Sequence, residues 1–190
     1  MLQASSIATG DLNNDNALDI VLQGKVPAGD AVIIIYLNDG VSSFYPIAPN
    51  GIWGLYGGAL AVADFDNDGM VDITVMGANN SNSRQFVMFK NLGGGFNWVT
   101  VPNPVDPLAG GMVFLCPFLA NRKIILSFFK LKGTITWGDL TMDGFPDLIV
   151  TGMGLNQPFT FVFISTNTTS GLIYVSIFWG ERKRGGKKTK

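Results

Sequence analysis

Three stretches of the chain are copies of one another, and this repetition constrains the fold more than any other feature of the sequence. Each copy contains an apolar run, a nine-residue acidic loop, a second apolar run and a closing Gly. The copies cover residues 7–24, 60–77 and 135–152. Because a short repeat cannot bury its own apolar face, it must stack against its neighbours, so the sequence predicts a repeat protein.

Each copy is followed by a polar gap, a further apolar run and a turn. These run-and-turn segments cover residues 32–40, 86–95 and 159–171, and a short apolar or aromatic stretch follows each of them. Turns rich in Asn and Gly between apolar runs are strong hairpin signals. Each unit therefore offers about four short strands, which is the content of one β-propeller blade. The predicted fold is all-β: a partial β-propeller with about three four-stranded antiparallel blades.

One segment interrupts the repeat. Asp64 follows Asp11 after 53 residues (64 − 11), whereas Asp139 follows Asp64 after 75 (139 − 64). Leaving out residues 112–133 restores the shorter period, and this segment contains the single Cys, four basic residues and no acidic residue. Two interpretations remain open: a genuine loop insertion, which surface loops tolerate, or translated intron sequence.

The composition argues against the common catalytic sites. The chain has no His, its one Cys is Cys116, and its one Glu, Glu181, lies in a basic tail at residues 177–190. Without His, the usual general base and the Ser-His and Cys-His nucleophile pairs are missing, and one Cys cannot form a disulfide within the chain. We therefore predict that the chain is not an enzyme.

The repeats are predicted to occupy residues 1–176, and the tail is predicted to be disordered or spurious.

The sequence also lacks targeting and partner signals. No basic region followed by an apolar stretch opens the chain, so no signal peptide is expected. No uncharged apolar run of about 18 residues is present, so no membrane span, and no membrane contact by this segment itself, is expected. Six basic residues lie in the tail, and such a cluster can contact nucleic acid or acidic lipid. A short charged tail is more often solvated and disordered, so no nucleic-acid partner is predicted.

The acidic loops share the pattern D-x-[D/N/T]-x-D-[G/N]-x-x-D. Ca²⁺ is a hard cation that takes about six to eight oxygen ligands. In this pattern, positions 1, 3, 5 and 9 offer side-chain oxygens and position 7 offers a backbone carbonyl. The predicted ligands are Asp11, Asn13, Asp15, Ala17 and Asp19; Asp64, Asp66, Asp68, Met70 and Asp72; and Asp139, Thr141, Asp143, Phe145 and Asp147. The prediction is three Ca²⁺ sites, in loops 11–19, 64–72 and 139–147.

The sixth position of each loop must turn sharply. Gly69 and Gly144 accept a positive φ freely, and Asn16 is the next most tolerant residue type. An EF-hand has the same opening spacing but needs a Glu at position 12 and flanking helices; this chain has Leu22, Val75 and Val150 at that position. The alternative to a calcium site is a set of solvated acidic turns. With four carboxylates, the second loop is predicted to be the strongest site.

These loops, with the strands that follow them, resemble FG-GAP/VCBS-type repeats, the calcium-binding blades of the integrin α-chain β-propeller and its relatives. The resemblance includes the Asn38-Asp39-Gly40 turn followed by Phe44, while residues 54–60 are the nearest match to the Phe-Gly and Gly-Ala-Pro elements that name the family. It implies a seven-bladed propeller, usually secreted or part of a cell-surface ectodomain, that acts in adhesion or protein recognition. Three units would then need the remaining blades of a full propeller as partners.

The predicted function is a calcium-binding module for protein interaction at the cell surface or outside the cell, as a fragment of a larger protein whose partner the sequence does not specify. The alternative is a non-catalytic propeller portion of a larger secreted enzyme. Sequons at Asn79 and Asn167 predict a glycoprotein.

Overall fold

The computed structural model describes residues 2–47, 49–93, 97–100, 105–106, 112–114, 124–126, 130–153, 158–165 and 174–179. Within these ranges the chain forms fifteen β-strands. None of the described residues belongs to a helix long and apolar enough to cross a membrane. The all-β prediction is confirmed.

Twelve of the strands form three four-stranded antiparallel sheets, each in chain order, as predicted for propeller blades. The first unit consists of β1 (Gln3–Gly10), β2 (Asp19–Lys25), β3 (Ala31–Asn38) and β4 (Phe44–Ile47). The second consists of β5 (Tyr56–Ala63), β6 (Asp72–Ala78), β7 (Arg84–Asn91) and β8 (Trp98–Thr100). The third consists of β12 (Lys130–Gly138), β13 (Asp147–Met153), β14 (Pro158–Ile164) and β15 (Tyr174–Trp179).

The segment between the second and third units forms a separate small sheet. Its strands are β9 (Val105–Asp106), β10 (Met112–Phe114) and β11 (Ile124–Leu126), with β10 in the middle. Residues 112–114 and 124–126 of the predicted insertion therefore lie outside the four-stranded sheets. The last four residues of the predicted insertion, 130–133, instead begin β12.

Gly133 lies where the first part of β12 passes very close to the backbone of β13. A side chain at Gly133 would place its Cβ 1.9 Å from the carbonyl oxygen of Thr151. Gly58, at the same place in the second unit, would place its Cβ 2.1 Å from the carbonyl oxygen of Met76. Both first strands have a register shift at this point, and only Gly permits so close an approach of two backbones.

The other end of the chain also differs from the predicted boundary. Strand β15 extends to Trp179 and pairs with β14 along its whole length, three residues beyond the boundary predicted at residue 176. Residues 180–190, the rest of the predicted tail, lie outside the described residues, as does the sequon at Asn167.

The three units pack side by side through their first strands, because β5 contacts both β1 and β12. Side chains from the first two units share a core. Every residue of β6 is buried, as expected for a strand in the middle unit with neighbours on both faces. Between the first two units, the buried Gln23 Nε2 donates to the carbonyl oxygen of Ala59 at 2.7 Å. This packing sets the three acidic loops in a row.

Candidate metal centre

Each acidic loop joins the first strand of its unit to the second, so all three loops lie at the same end of their sheets. The first carboxylate of each loop accepts the backbone N–H groups of the fifth and sixth residues of the same loop. In the second loop, Oδ1 of Asp64 accepts the N–H of Asp68 at 3.0 Å, and Oδ2 accepts the N–H of Gly69 at 2.8 Å. The equivalent bonds are 3.1 and 2.8 Å long at Asp11, and 3.1 and 2.9 Å at Asp139. The first residue therefore shapes the turn as well as offering oxygens.

The ninth carboxylate of each loop is buried and holds the loop on its own sheet. Asp72 is 1% exposed; its Oδ2 accepts the N–H of Phe65 at 3.1 Å, and its Oδ1 accepts the N–H of Asn91, on β7, at 2.7 Å. Asp19 and Asp147 are fully buried and accept the equivalent pairs of N–H groups at 2.8–2.9 Å. The ninth residue, which the sequence predicts as a ligand, therefore also has a structural role in all three units.

Two positions in each loop have a left-handed backbone. The sixth position turns as predicted, with φ of 68° at Asn16, 88° at Gly69 and 87° at Gly144. The fourth position was not predicted to do so, and it has φ of 59° at Asn14, 55° at Asn67 and 58° at Met142. Asn tolerates this conformation better than other residues with side chains, which fits its use in the first two loops.

The second loop brings three carboxylates together. One oxygen from each of Asp64, Asp66 and Asp72 lies within 4.8 Å of the other two. Across the described part of the chain, no other three acidic, His or Cys side chains come this close. A cluster that offers only oxygen suits a hard cation such as Ca²⁺ and is a poor match for metals that prefer nitrogen or sulfur. The donor set therefore fits the predicted ion.

The fifth carboxylate of the second loop has other contacts. Oδ1 of Asp68 accepts the N–H of Met70 at 2.9 Å. Its Oδ2 lies 2.8 Å from Nζ of Lys90, and the same ammonium group contacts Oδ2 of Asp66. A lysine on β7 thus bridges two of the predicted ligands.

The first and third loops have no equivalent lysine contact among the described residues. Asp15 and Asp143 each accept the N–H of the seventh residue, at 2.8 and 3.0 Å. Nδ2 of Asn13 donates to Oδ2 of Asp15 at 2.8 Å. Thr141 is exposed. In these two loops the predicted ligands lie in the same backbone framework as in the second loop, but their carboxylates are farther apart.

Burial raises the pKa of the ninth carboxylate in the first two loops. It raises the pKa of Asp72 to about 7, against two backbone hydrogen bonds that favour the ionised form, and the nearby charges of Asp66 and Asp68 raise it further. Burial likewise raises the pKa of Asp19. For Asp68, burial acts to raise the pKa, but the ion pair with Lys90 and a backbone hydrogen bond outweigh it and lower the pKa. A cation beside Asp72 would favour its ionised form.

The fourth residue of the loops connects neighbouring units, a role that the loop spacing did not predict. Nδ2 of Asn14 donates to the carbonyl oxygen of Gly69 at 2.8 Å, and Nδ2 of Asn67 donates to that of Gly144 at 2.7 Å. The third unit has Met142 at this position, with a side chain that is 91% exposed. The three loops therefore form a connected row.

Three residues that donate a backbone N–H to the ninth carboxylate were also not predicted. Asn38 and Asn91 are the last residues of β3 and β7, and Ser165 directly follows β14. The sequence indicates only a hairpin turn at Asn38 and Asn91. Both residues follow the ninth Asp of their loop by 19 residues (38 − 19 and 91 − 72), and this equal spacing is a signal that could have identified them. The side chain of Asn91 also donates to the carbonyl oxygen of Leu12 in the first unit at 2.8 Å. No pattern in the sequence pointed to Lys90.

Replacing Asn67 by Gly should lower the free energy of unfolding by about 1 kcal/mol, because the hydrogen bond to Gly144 is lost. Gly keeps the left-handed backbone without strain. Replacing Met142 by Gly is the matched control: the free energy should stay unchanged or rise, because an exposed side chain with positive φ is removed. Denaturant unfolding measures both variants, and equal effects would show that the link between the loops contributes nothing.

Comparison with known proteins agrees with this arrangement. Residues 11–75 match the family model described as FG-GAP-like repeat. The matched range begins at the first acidic loop, includes the second and ends within β6. No curated protein matches the chain. The resemblance seen in the loops is thus confirmed for residues 11–75, and the chain is a β-propeller-like repeat module whose first two units contain an FG-GAP-like repeat.

Proposed function

We propose that the three acidic loops bind Ca²⁺ and that the ions fix the loop end of a protein-interaction module. Asp64, Asp66 and Asp72 carry the proposal, because three carboxylate oxygens within 4.8 Å of one another repel unless a cation or protons offset their charge. In the second loop, Asp68 and the carbonyl group of Met70 would complete the ligand set. The ion would supply the positive charge that brings these carboxylates together.

The repeated backbone framework supports extending the proposal to the other two loops. The first carboxylate closes the turn, and the ninth fixes the loop to the sheet, in all three units. We propose Asp11, Asn13, Asp15, Ala17 and Asp19 as the ligands in the first loop. The proposed ligands in the third loop are Asp139, Thr141, Asp143, Phe145 and Asp147.

The proposed calcium is structural, and the proposed setting is an extracellular protein or a membrane-protein ectodomain. Sites in extracellular modules bind Ca²⁺ with dissociation constants of about 10⁻⁴–10⁻³ M, and loops of this exposed kind fall in that class. The row of loops would then present a fixed surface to a protein partner, while further blades would pack on the outer units. We propose no catalytic role, since the chain has no His and its one Glu, Glu181, lies in the basic tail and not in the repeats.

Calorimetric titration tests the number of sites. We expect Ca²⁺ to bind with a stoichiometry of three ions per chain, and the variant Asp143→Ala to bind two, because it loses a central ligand of the third loop only. A stoichiometry below three in the parent chain, or the same stoichiometry in the variant and the parent chain, would contradict the assignment of one ion to each loop.

A further inference from the structure

Lys90 is held at the second acidic loop by its neighbours on β7. On one side Phe89 is fully buried, and on the other the N–H of Asn91 donates to Asp72 at 2.7 Å. The ammonium group of Lys90 contacts Oδ2 of Asp66 and lies 2.8 Å from Oδ2 of Asp68. The side chain of Lys90 is 26% exposed, so this ion pair is neither deeply buried nor fully in solvent.

The lysine occurs only in the unit that has the additional carboxylate. Asn38, Asn91 and Ser165 donate the equivalent N–H to the ninth carboxylate of their loops, so the residues that correspond to Lys90 are Leu37 and Ile164. The third position of the loop is Asp only in the second loop.

The charges of the three loops become equal when Lys90 is counted. The first and third loops each carry three carboxylates, and the second carries four. Lys90 reduces the formal charge of the second site from −4 to −3, which is the value of the other two. The sequence predicts the second loop to be the strongest site from its four carboxylates, a prediction that does not take the charge of Lys90 into account.

We propose that Lys90 is a built-in counter-ion that competes with the metal ion for Asp66 and Asp68 and thereby sets the calcium affinity of the second loop. This inference rests on the proposed calcium function. The ammonium group and a divalent cation repel each other at this distance, and both are attracted by the negative charge of Asp66 and Asp68. The flexible stem of a lysine lets the ammonium group move aside, so calcium binding exchanges one cation for another instead of filling a bare acidic pocket.

The variant Lys90→Met tests the proposal because it keeps the length of the side chain and removes the charge. The backbone N–H resonances of Gly69 and Gly144 report separately on the second and third loops during a Ca²⁺ titration. We expect the dissociation constant measured at Gly69 to fall roughly tenfold, as expected for removing one positive charge at contact distance in a solvent-screened site. The constant measured at Gly144 should change by less than about twofold, since salt screens separated charges.

Lys25→Met is the matched control. Lys25 is the last residue of β2 and lies at the end of its sheet opposite to the acidic loops. Its Nζ lies 4.6 Å from the centre of the Tyr56 ring. This variant also loses one positive charge, so the constant at Gly69 should stay the same if proximity to Asp66 and Asp68 matters. An equal gain in affinity in both variants would overturn the proposal in favour of a net-charge effect.

Thermal unfolding separates competition from a purely structural role. In chelator, Lys90→Met should melt below the parent chain because Asp66 and Asp68 lose their counter-ion, whereas in saturating Ca²⁺ this difference should disappear or reverse. A lower melting temperature under both conditions, with an unchanged constant at Gly69, would overturn the proposal. Lys90→Gln offers a second neutral variant if the Met variant does not fold. If neither Gly69 nor Gly144 responds to Ca²⁺ in the parent chain, the proposed function itself fails.

Discussion

Replacing Asp72 by Ala should lower the free energy of unfolding by about 2–6 kcal/mol in chelator, and by more in calcium, because the variant also loses a proposed ligand. The carboxylate of Asp72 is buried and accepts the N–H groups of Phe65 and Asn91 at 3.1 and 2.7 Å. Removing it leaves two backbone donors without their partner, and each unsatisfied buried group costs about 1–3 kcal/mol. Denaturant unfolding, followed by circular dichroism, measures the loss.

Asp66→Ala is the control within the same loop. The described contact of Asp66 is the ion pair with Lys90 near the surface, and exposed ion pairs contribute about 0–1 kcal/mol. In chelator the free energy of unfolding of this variant should therefore be close to that of the parent chain. If Asp72→Ala and Asp66→Ala lost equal stability in chelator, the ninth carboxylate would not have the structural role assigned to it.

Replacing Asp68 by Ala should remove the stabilisation that the second loop gains from calcium. An ion that binds only the folded loop raises the free energy of unfolding by about 2.7 kcal/mol at a hundredfold excess over its dissociation constant. Asp68 also accepts the N–H of Met70, so the variant should lose some stability in chelator as well. The relevant quantity is therefore the difference between the free energy of unfolding in calcium and that in chelator, each measured by denaturant unfolding.

Asp30→Ala and Asp39→Ala are the controls for that difference. Both residues lie outside the acidic loops, Asp30 before β3 and Asp39 in the turn that follows it. Asp39 accepts three backbone N–H groups of its own turn, which lower its pKa to about 2, so its replacement can affect stability without touching a proposed ligand. A reduced calcium gain in these variants would mean that general acidity, and not the loops, is responsible for the effect.

Most of the fold could be predicted because the sequence repeats it. The apolar runs and turns recur in the same order three times, so each unit indicates the strands of the others. The start of the third unit could not be placed in this way. Removing residues 112–133 restores an even spacing, yet in the structure it is Gly133 that takes the place of Gly58, as its close approach to the carbonyl oxygen of Thr151 shows.

The candidate site could be predicted only where its contacts are local. The first, fifth and sixth positions of each loop interact within the loop, so their spacing indicates their role. Lys90 reaches the loop from β7, and Asn67 contacts Gly144 in the next unit. These contacts depend on strand pairing and on the packing of one unit against another, which no local pattern specifies.

Thermal unfolding of the unaltered chain in calcium, magnesium and chelator tests calcium binding by the loops most directly. A gain of about 2.7 kcal/mol from one saturated site corresponds to a melting temperature about 5–10 °C higher in calcium than in chelator for a chain of this size. Magnesium should have a much smaller effect, because it requires a tighter octahedral geometry and releases water reluctantly. Equal melting temperatures in calcium and in chelator would contradict the proposal that these loops are calcium sites.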